Sequence, residues 1–357
     1  MKNKRGIEKV SIVKCKTYNQ REVDKAIQKV LRLAEIELPR EKKVLIKPNV
    51  VGYFKKNQEA ITTHPSIIEA VCKILKKNNC KIYIGDSSFT NPEIAFKKSR
   101  IGKVAKKYGK LIIFEQDKLV RIKDAKAKVL KNFYLSKTLK NVDLVINVPK
   151  LKTHQLTKYT GAIKNLYGCI PGGMKQKLHK KAQGEKKFSK LLIDIYQNIK
   201  PEVNIMDGIV GMEGKGPTSG KTKRAGYILA SKNTISLDVA SSKLMGYKPK
   251  KILMIKEAIK RKLGNFKFVL VGLKKLPNLH FEKPVVNAKT SGGFMKMFRQ
   301  KPIIVDEKKC IKCGLCSRKC PMHAITLKPY PVVDKKKCIR CFCCMEICPQ
   351  HALSLKE

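Results

Sequence analysis

Eight cysteines near the end of the chain stand at a spacing that narrows the possible chemistry. Cys310, Cys313, Cys316 and Cys320 read C-x2-C-x2-C-x3-C-P, and Cys338, Cys341, Cys344 and Cys348 repeat the phrase with every position shifted by 28 (338 − 310). Three thiolates on one tight loop can grip three irons of a cubane, while the fourth, just beyond, is aimed elsewhere. Where two such runs occur together, the fourth Cys ligates the other cluster. The expected ligand sets are therefore crossed: Cys310, Cys313, Cys316 and Cys348 for one 4Fe-4S cluster, and Cys338, Cys341, Cys344 and Cys320 for a second. Zinc sites favour two C-x2-C pairs separated by a longer loop, so zinc fits this spacing less well. The duplication then has a physical reason, because two half-sites about a pseudo-two-fold axis must exchange a ligand to close both clusters.

Cys343 is a further thiol in the same stretch. The repeat sets it opposite Leu315, and it reads as a small buried hydrophobe. His323 and His351 each follow a Cys-Pro by two residues, where Pro at a first helical turn reads as ordinary helix initiation. Cys15, Cys72, Cys80 and Cys169 have no ligand spacing and read as core thiols.

A second group of chemically capable residues lies upstream, at the ends of apolar runs. KVLI ends in Lys47, Pro48 and Asn49, KIYIG ends in Asp86, and VNIM ends in Asp207. DLVINV runs into PKLKTH, where Lys150, Lys152 and His154 alternate and share a face if that segment is extended. Lys164 and Glu213 complete the set. Clustered ammonium groups suit a carboxylate or phosphate ligand, and the acids suit an additional divalent metal or proton transfer. His154 is the stronger histidine candidate for catalysis. His64, just before Pro65, is explained as readily by helix capping.

The elements that must position these groups alternate in type. Strand-like runs at 10–15, 43–49, 81–86, 111–114, 143–148, 203–207, 226–230 and 268–272 are interleaved with helical periodicity, as at 21–35 and after Pro65. This predicts an α/β large domain with a mainly parallel sheet flanked by helices, and a small C-terminal α+β two-cluster domain. In such a sheet the carboxyl ends of the strands lie along one edge, where open α/β folds place ligands. The glycine-rich MDGIVGMEGKGPTSGKT (206–222) reads as a substrate-side loop. Its GPTSGKT falls one residue short of a phosphate-binding P-loop, and a strand-like segment follows, so the nucleoside-triphosphatase reading is rejected.

Composition bounds the partners. The 357 residues include 79 Lys and Arg against 27 Asp and Glu, a formal charge of +52. Of the basic residues 68 are Lys and 11 Arg, spread over nearly every segment. Since Arg carries most bidentate phosphate and base recognition, this argues against specific nucleic-acid binding. No window approaches a membrane span and MKNKRGIEKVSIVKC does not read as a signal peptide, so a cytoplasmic location is expected.

Residues 1 to about 272 resemble the prokaryotic family named domain of unknown function 362. The resemblance rests on IKPNV (46–50), THP (63–65), GDSS (85–88), VPKLKTH (148–154), TGAIKNLYG (160–168), DGIVGMEGKGPTSG (207–220) and LDVASSKLMGY (237–247). The C-terminal run resembles a bacterial-type ferredoxin module. The family implies an α/β fold and a ferredoxin partner, and brings no established reaction. Lys47, Asn49, His64, Asp86, Lys152, His154, Lys164, Asn165, Asp207, Glu213 and Asp238 sit on its motif positions. Of these, Lys152, His154, Asp86, Asp207 and Glu213 are the catalytic candidates, and Lys47, Asn49, His64, Lys164, Asn165 and Asp238 the ligand-binding ones. Asp238 reads equally as a helix cap.

The expected organisation is an α/β domain over 1–272, a connector over 273–303 and a two-cluster domain over 304–357. GFMKMFRQ (293–300) reads as an apolar knot that docks the two parts. The expected function is electron transfer through two 4Fe-4S clusters to a substrate or cofactor in the α/β domain, as a low-potential reductase of an anionic ligand. The alternative is a non-catalytic carrier or assembly protein whose α/β domain binds a partner. The expected partners are a redox protein or a small anionic substrate.

Overall fold

The computed structural model describes residues 7–54, 58–284 and 302–356. Its strands are β1 (Lys9–Lys14), β2 (Lys43–Lys47), β3 (Lys81–Asp86), β4 (Lys110–Ile113), a separate hairpin of β5 (Leu119–Lys123) and β6 (Asn132–Ser136), β7 (Leu144–Asn147), β8 (Lys150–His154), β9 (Lys158–Thr160), β10 (Val203–Glu213), β11 (Lys221–Ser231) and β12 (Val269–Val271). Ten of them form one sheet in the order β12-β1-β11-β10-β7-β2-β3-β4, with β8 and β9 branching from β10.

Helices cover both faces: α1 (Gln20–Leu33), α2 (Gln58–Ile61), α3 (Pro65–Lys77), α4 (Pro92–Lys98), α5 (Ile101–Tyr108), α6 (Lys137–Asn141), α7 (Ala162–Asn165), α8 (Gly172–Lys181), α9 (Gly184–Ile199), α10 (Thr234–Leu244) and α11 (Leu253–Lys260). Strand alternation explains why the central strands are apolar throughout. Val44 and Ile46 pack with residues of α1, α3 and α5, while Leu45 between them packs with residues of α9, α10 and α11 on the other face. Helix α1 shows the local logic. Asn19 caps it by accepting from Arg21 N and Glu22 N, and its buried face is Val23, Ala26, Ile27, Val30 and Leu31. Each large aliphatic side chain buried there contributes about 1.5–3 kcal/mol, so Ile27→Ala would be felt across the whole layer.

The sheet is mainly parallel, with pairs β2–β3, β2–β7, β3–β4, β7–β10 and β1–β12 all parallel. Two strands run against it: β9 is antiparallel to β8, and β11 is antiparallel to both β1 and β10. For β11 the physical reason is the glycine-rich segment: β10 continues through it to Glu213, the chain turns at 214–220 with Gly214 at φ +69°, and β11 returns directly. Strand β10 also outruns β7. After pairing Asn204 with Asn147 it shifts register and takes β8 instead, at Asp207↔Lys150 and Met212↔Lys152. This carries β8 over the carboxyl edge of β2, β3 and β7.

From Pro302 onward the chain forms β13 (Ile303–Val305) paired with β16 (Leu353–Leu355), β14 (Ile325–Leu327) paired with β15 (Pro331–Val333), and two short helices, α12 (Leu315–Arg318) and α13 (Cys343–Ile347). The expectation of helix starts at His323 and His351 is corrected. Both lie in turns, at φ +50° and +51°, and both N–H groups bond back to the preceding Cys carbonyl at 3.2 Å. The turn lets Ala324 N and Ala352 N donate to the sulfurs of Cys320 and Cys348, each at 3.3 Å. A helix would have carried those amides away. The first part of the expected connector, 273–284, lies along the large sheet's periphery, with Phe281 N bonded to Met245 O and Gly214 N to Glu282 O. GFMKMFRQ lies outside the described residues. Among the described residues, no helix is long and apolar enough to cross a membrane.

Candidate functional site

Strands β2 and β3 end side by side, and their last residues form a buried ion pair: Lys47 Nζ to Asp86 Oδ1, 2.8 Å. Asp86 also accepts from Val50 N and Ser87 N, both at 2.8 Å, so its oxygens are already well supplied. The backbone at Gly168 crosses directly over this pair, where a Cβ would collide with Asp86 Oδ1 and Lys47 Nζ. Asn165 in α7 faces Lys47 at 3.5 Å and is held by donating to Asn147 Oδ1 at 2.8 Å.

Above this floor opens a cavity of about 460 Å³ whose lining includes Lys47, Asn49, Asp86, Lys152, His154, Lys164, Asn165, Lys175 and Glu346. Lys152 and His154 arrive on β8. Lys152 Nζ donates to Ile61 O at 2.9 Å, the carbonyl that Asn49 Nδ2 also engages. Burial, with Lys164 and Lys150 adding repulsion, pulls the Lys152 ammonium down to about 7. Burial likewise lowers Lys175, to about 8. Lys175 reaches Ser87 Oγ, and Lys164 stands 5.2 Å from the Tyr167 ring centre. One wall is made by a distant part of the chain, since Glu346 belongs to α13.

His154 is fixed in a definite protonation pattern. Its Nδ1 accepts from Leu156 N at 3.1 Å and Thr157 N at 3.4 Å, which places the proton of the neutral ring on Nε2. Burial and the neighbouring Lys164 and Lys152 hold the ring neutral, well below the usual histidine range. Nε2 then faces Glu346 Oε1 at 3.3 Å, without hydrogen-bond alignment, and both atoms are buried. As placed, His154 is a hydrogen-bond donor into the cavity and not a base.

The other sequence candidates go elsewhere. Lys150 pairs with Asp207 Oδ2 at 2.8 Å, and Asp207 also accepts from Tyr18 Oη at 2.8 Å and His64 N at 2.9 Å. His64 caps α3 by accepting from Ser66 N, and its ring stacks on Tyr18 with centroids 3.8 Å apart. The expected common face of Lys150, Lys152 and His154 is thus divided, because the irregular pairing of β8 with β10 turns Lys150 toward Asp207. Glu213 pairs with Lys223 at 3.3 Å at the far end of β10. Asp238 lies inside α10 and accepts from Ala162 N, Ile163 N and Tyr159 Oη, which makes it the anchor of α7 and not the cap of its own helix. The acids proposed for a divalent metal do not converge, each being bound to a different lysine.

Lys175 and Glu346 were not singled out in the sequence. Lys175 sits among many lysines without a distinguishing pattern. Glu346 carried a usable signal, as the single acid in the apolar run FCCMEIC.

The cysteines surround two further cavities of about 340 Å³ each. One is lined by Cys310, Cys313, Cys316 and Cys348, the other by Cys320, Cys338, Cys341 and Cys344. Among the described residues, no three His, Cys, Asp or Glu groups are close enough to share one ion. Four cysteines at the C-x2-C-x2-C-x3-C spacing line each cavity, a donor set that suits a multi-iron cluster better than a single zinc, which favours two separated C-x2-C pairs.

Residues 44–243 match the family described as Domain of unknown function (DUF362), and residues 309–356 match a 4Fe-4S dicluster domain. A thylakoid-associated protein of Synechocystis sp. is 31% identical over 214 residues, 58% of this chain and 64% of that protein, so the match spans less than two thirds of the relative. Among solved structures, the lactate racemase apoprotein of Thermoanaerobacterium thermosaccharolyticum is 12% identical at a TM-score of 0.42, over 70% of this chain and 58% of that one.

Proposed function

The chain belongs to the DUF362 family and carries a 4Fe-4S dicluster domain, and on that premise we propose that it reduces a small carboxylate or phosphate compound held in the lysine-lined cavity. We further assign one cluster to Cys310, Cys313, Cys316 and Cys348 and the other to Cys338, Cys341, Cys344 and Cys320. Bound 4Fe-4S clusters supply single electrons at low potential.

The observation that carries the reading is the shared wall. Glu346 lies in α13, between Cys344 and Cys348, and it lines the same cavity as Lys47, Lys152, Lys164 and Lys175. Burial depresses the ammonium groups of Lys152 and Lys175 to about 7 and 8 and raises the Glu346 carboxyl, so an oxyanion bound among Lys47, Lys152, Lys164 and Lys175 would restore the lysine protons and be neutralised by them. In a buried setting that attraction is far stronger than at a surface. Lys152 and Lys164 would grip the anion, and Lys47, bound to Asp86, would stiffen the floor. His154 Nε2–H would donate to a ligand oxygen and stabilise charge that develops there. Burial of these groups excludes water from the ligand's reacting end.

The test uses protein purified and reconstituted without oxygen. About eight irons per chain are expected. Chemically reduced protein should be reoxidised faster by at least one member of a panel of 2-oxo acids, unsaturated dicarboxylates and phosphate esters that carry a ketone or aldehyde, whose carbonyl or alkene takes up two electrons, one from each cluster, and two protons. Lys152→Met and His154→Gln should abolish that acceleration while keeping the iron. Acceleration that survives both substitutions, or its absence across the panel, overturns the reading in favour of a carrier that does no chemistry.

A further inference from the structure

The two cysteine loops have the same spacing but not the same exposure. In the first, Ile311 is 60% exposed and Lys312 and Cys313 are exposed beside it. In the second, the matching Ile339, Arg340 and Cys341 are all partly covered. Exposed Lys308, Lys309 and Arg318 border the first loop, and Arg318 Nη2 is fixed against it by donating to Cys313 O at 2.9 Å. Lys309 is partly neutralised by Asp306 at 2.5 Å, and Lys312 stands 4.7 Å over the Tyr330 ring. An open apolar residue beside a sulfur ligand, ringed by cations, is an unusual combination for a surface facing only water.

We propose that the Lys308–Cys313 loop is the docking face for a small acidic one-electron carrier protein. The choice of occupant follows from charge. A second copy of this chain, at formal +52, would be repelled. A nucleic acid would have one exposed aliphatic side chain to meet and no aromatic residue within the loop on which to stack. A carrier with an acidic face meets the lysine rim by complementarity, which steers encounter, and meets Ile311 at its centre. Such contacts are small and short-lived in general. The inference rests on the cysteine loops and not on the cavity's ligand, so the two readings fail separately.

The probe is an acidic flavodoxin, titrated against the iron-loaded full chain by calorimetry at several salt concentrations. Lys308→Glu with Lys312→Glu should weaken binding at least tenfold and flatten the salt dependence. A charge-matched control on the second loop, Lys335→Glu with Lys336→Glu, should change it less than twofold. Ile311→Ser should weaken binding several-fold and leave the salt slope unchanged. Iron content and melting temperature confirm that each variant is intact. Equal losses from the two double variants would show an unspecific basic surface and overturn the proposal, as would no measurable binding at low salt.

Discussion

Residues 305–327 and 333–355 use the same phrase and fold it the same way, but the surroundings differ. Lys312 and Arg340 share a left-handed conformation at φ +56° and +54°, as do Gly314 and Phe342 at +71° and +64°, and His323 and His351. The copies part at the helices that follow. In α12 only Cys316 is buried and Arg318 is exposed, whereas Cys343, Cys344, Met345, Glu346 and Ile347 of α13 are all buried. The second copy also makes the contacts with the large domain. Thr218 Oγ1 donates to Glu346 O at 3.3 Å, Ser219 Oγ bonds His351 Nδ1 at 2.8 Å, and Phe54 stacks on His351. Phe342 marks the cost of this asymmetry, since it holds a conformation that Gly314 adopts freely, in exchange for a buried ring. A repeat that is symmetric around its metals has become one inward face and one outward face.

Substitutions at matching positions should separate the two copies most. Met345→Ala removes a buried side chain of α13 and should cost about 2–5 kcal/mol. Its counterpart Ser317→Ala loses one hydrogen bond, to Ile325 O, and should cost about 1 kcal/mol. Denaturant unfolding of the iron-loaded chain, followed anaerobically, measures both. Equal costs would mean that α13 is not held by the large domain.

The inward face should also be the pH-sensitive one. Lys152 titrates near 7 in the folded chain against 10.5 when unperturbed. Its folded value is depressed, so the stability it contributes is present above 10.5 and lost as pH falls through about 7. An anion that restores the ammonium must bring a proton with it. Affinity for the cavity ligand should therefore fall by up to about tenfold per pH unit above 7, and Lys152→Met should remove that slope. Calorimetry in buffers of different ionisation enthalpy counts the proton directly. A ligand that binds without proton uptake at pH 8.5 would show that Lys152 does not hold it.

The smallest expected difference lies in the paired histidines. His351→Ala loses the Phe54 stack and the Ser219 bond and should destabilise the chain by about 1 kcal/mol. His323→Ala should stay within about 0.5 kcal/mol. Matching effects would place the two turns in equivalent environments.

Much of the fold was legible because its signals are local. KVLIK and KIYIGD read as strands from their unbroken apolar runs, and Pro65 announced α3. Lys47 and Asp86 could be nominated because parallel strands bring their carboxyl ends to one edge. Lys150 could not be told from Lys152, because an alternating pattern gives a shared face only while the pairing stays regular, and β10 shifts register between Asp207 and Met212. Asp207 was nominated from its strand end and Asp238 from its place in a family motif, and neither signal separates a site residue from a buried acid that anchors structure, as Asp207 does for Lys150 and Asp238 for α7. The helix expected at His323 and His351 failed because the need of Cys320 and Cys348 for a nearby amide outweighs the preference of Pro for a first helical turn.

What bonds and short spacings fix was readable from the sequence: the two cysteine runs, the strand ends and the excess of lysine. Only the tertiary structure decided which copy of the run turns inward, that Glu346 closes a cavity built from Lys47, Lys152 and Lys175, and that His154 presents Nε2 there. The reason is one of range. Ligand spacing and strand periodicity are set within a few residues, whereas side chains brought together from distant segments meet only through the packing of the helices and strands that carry them.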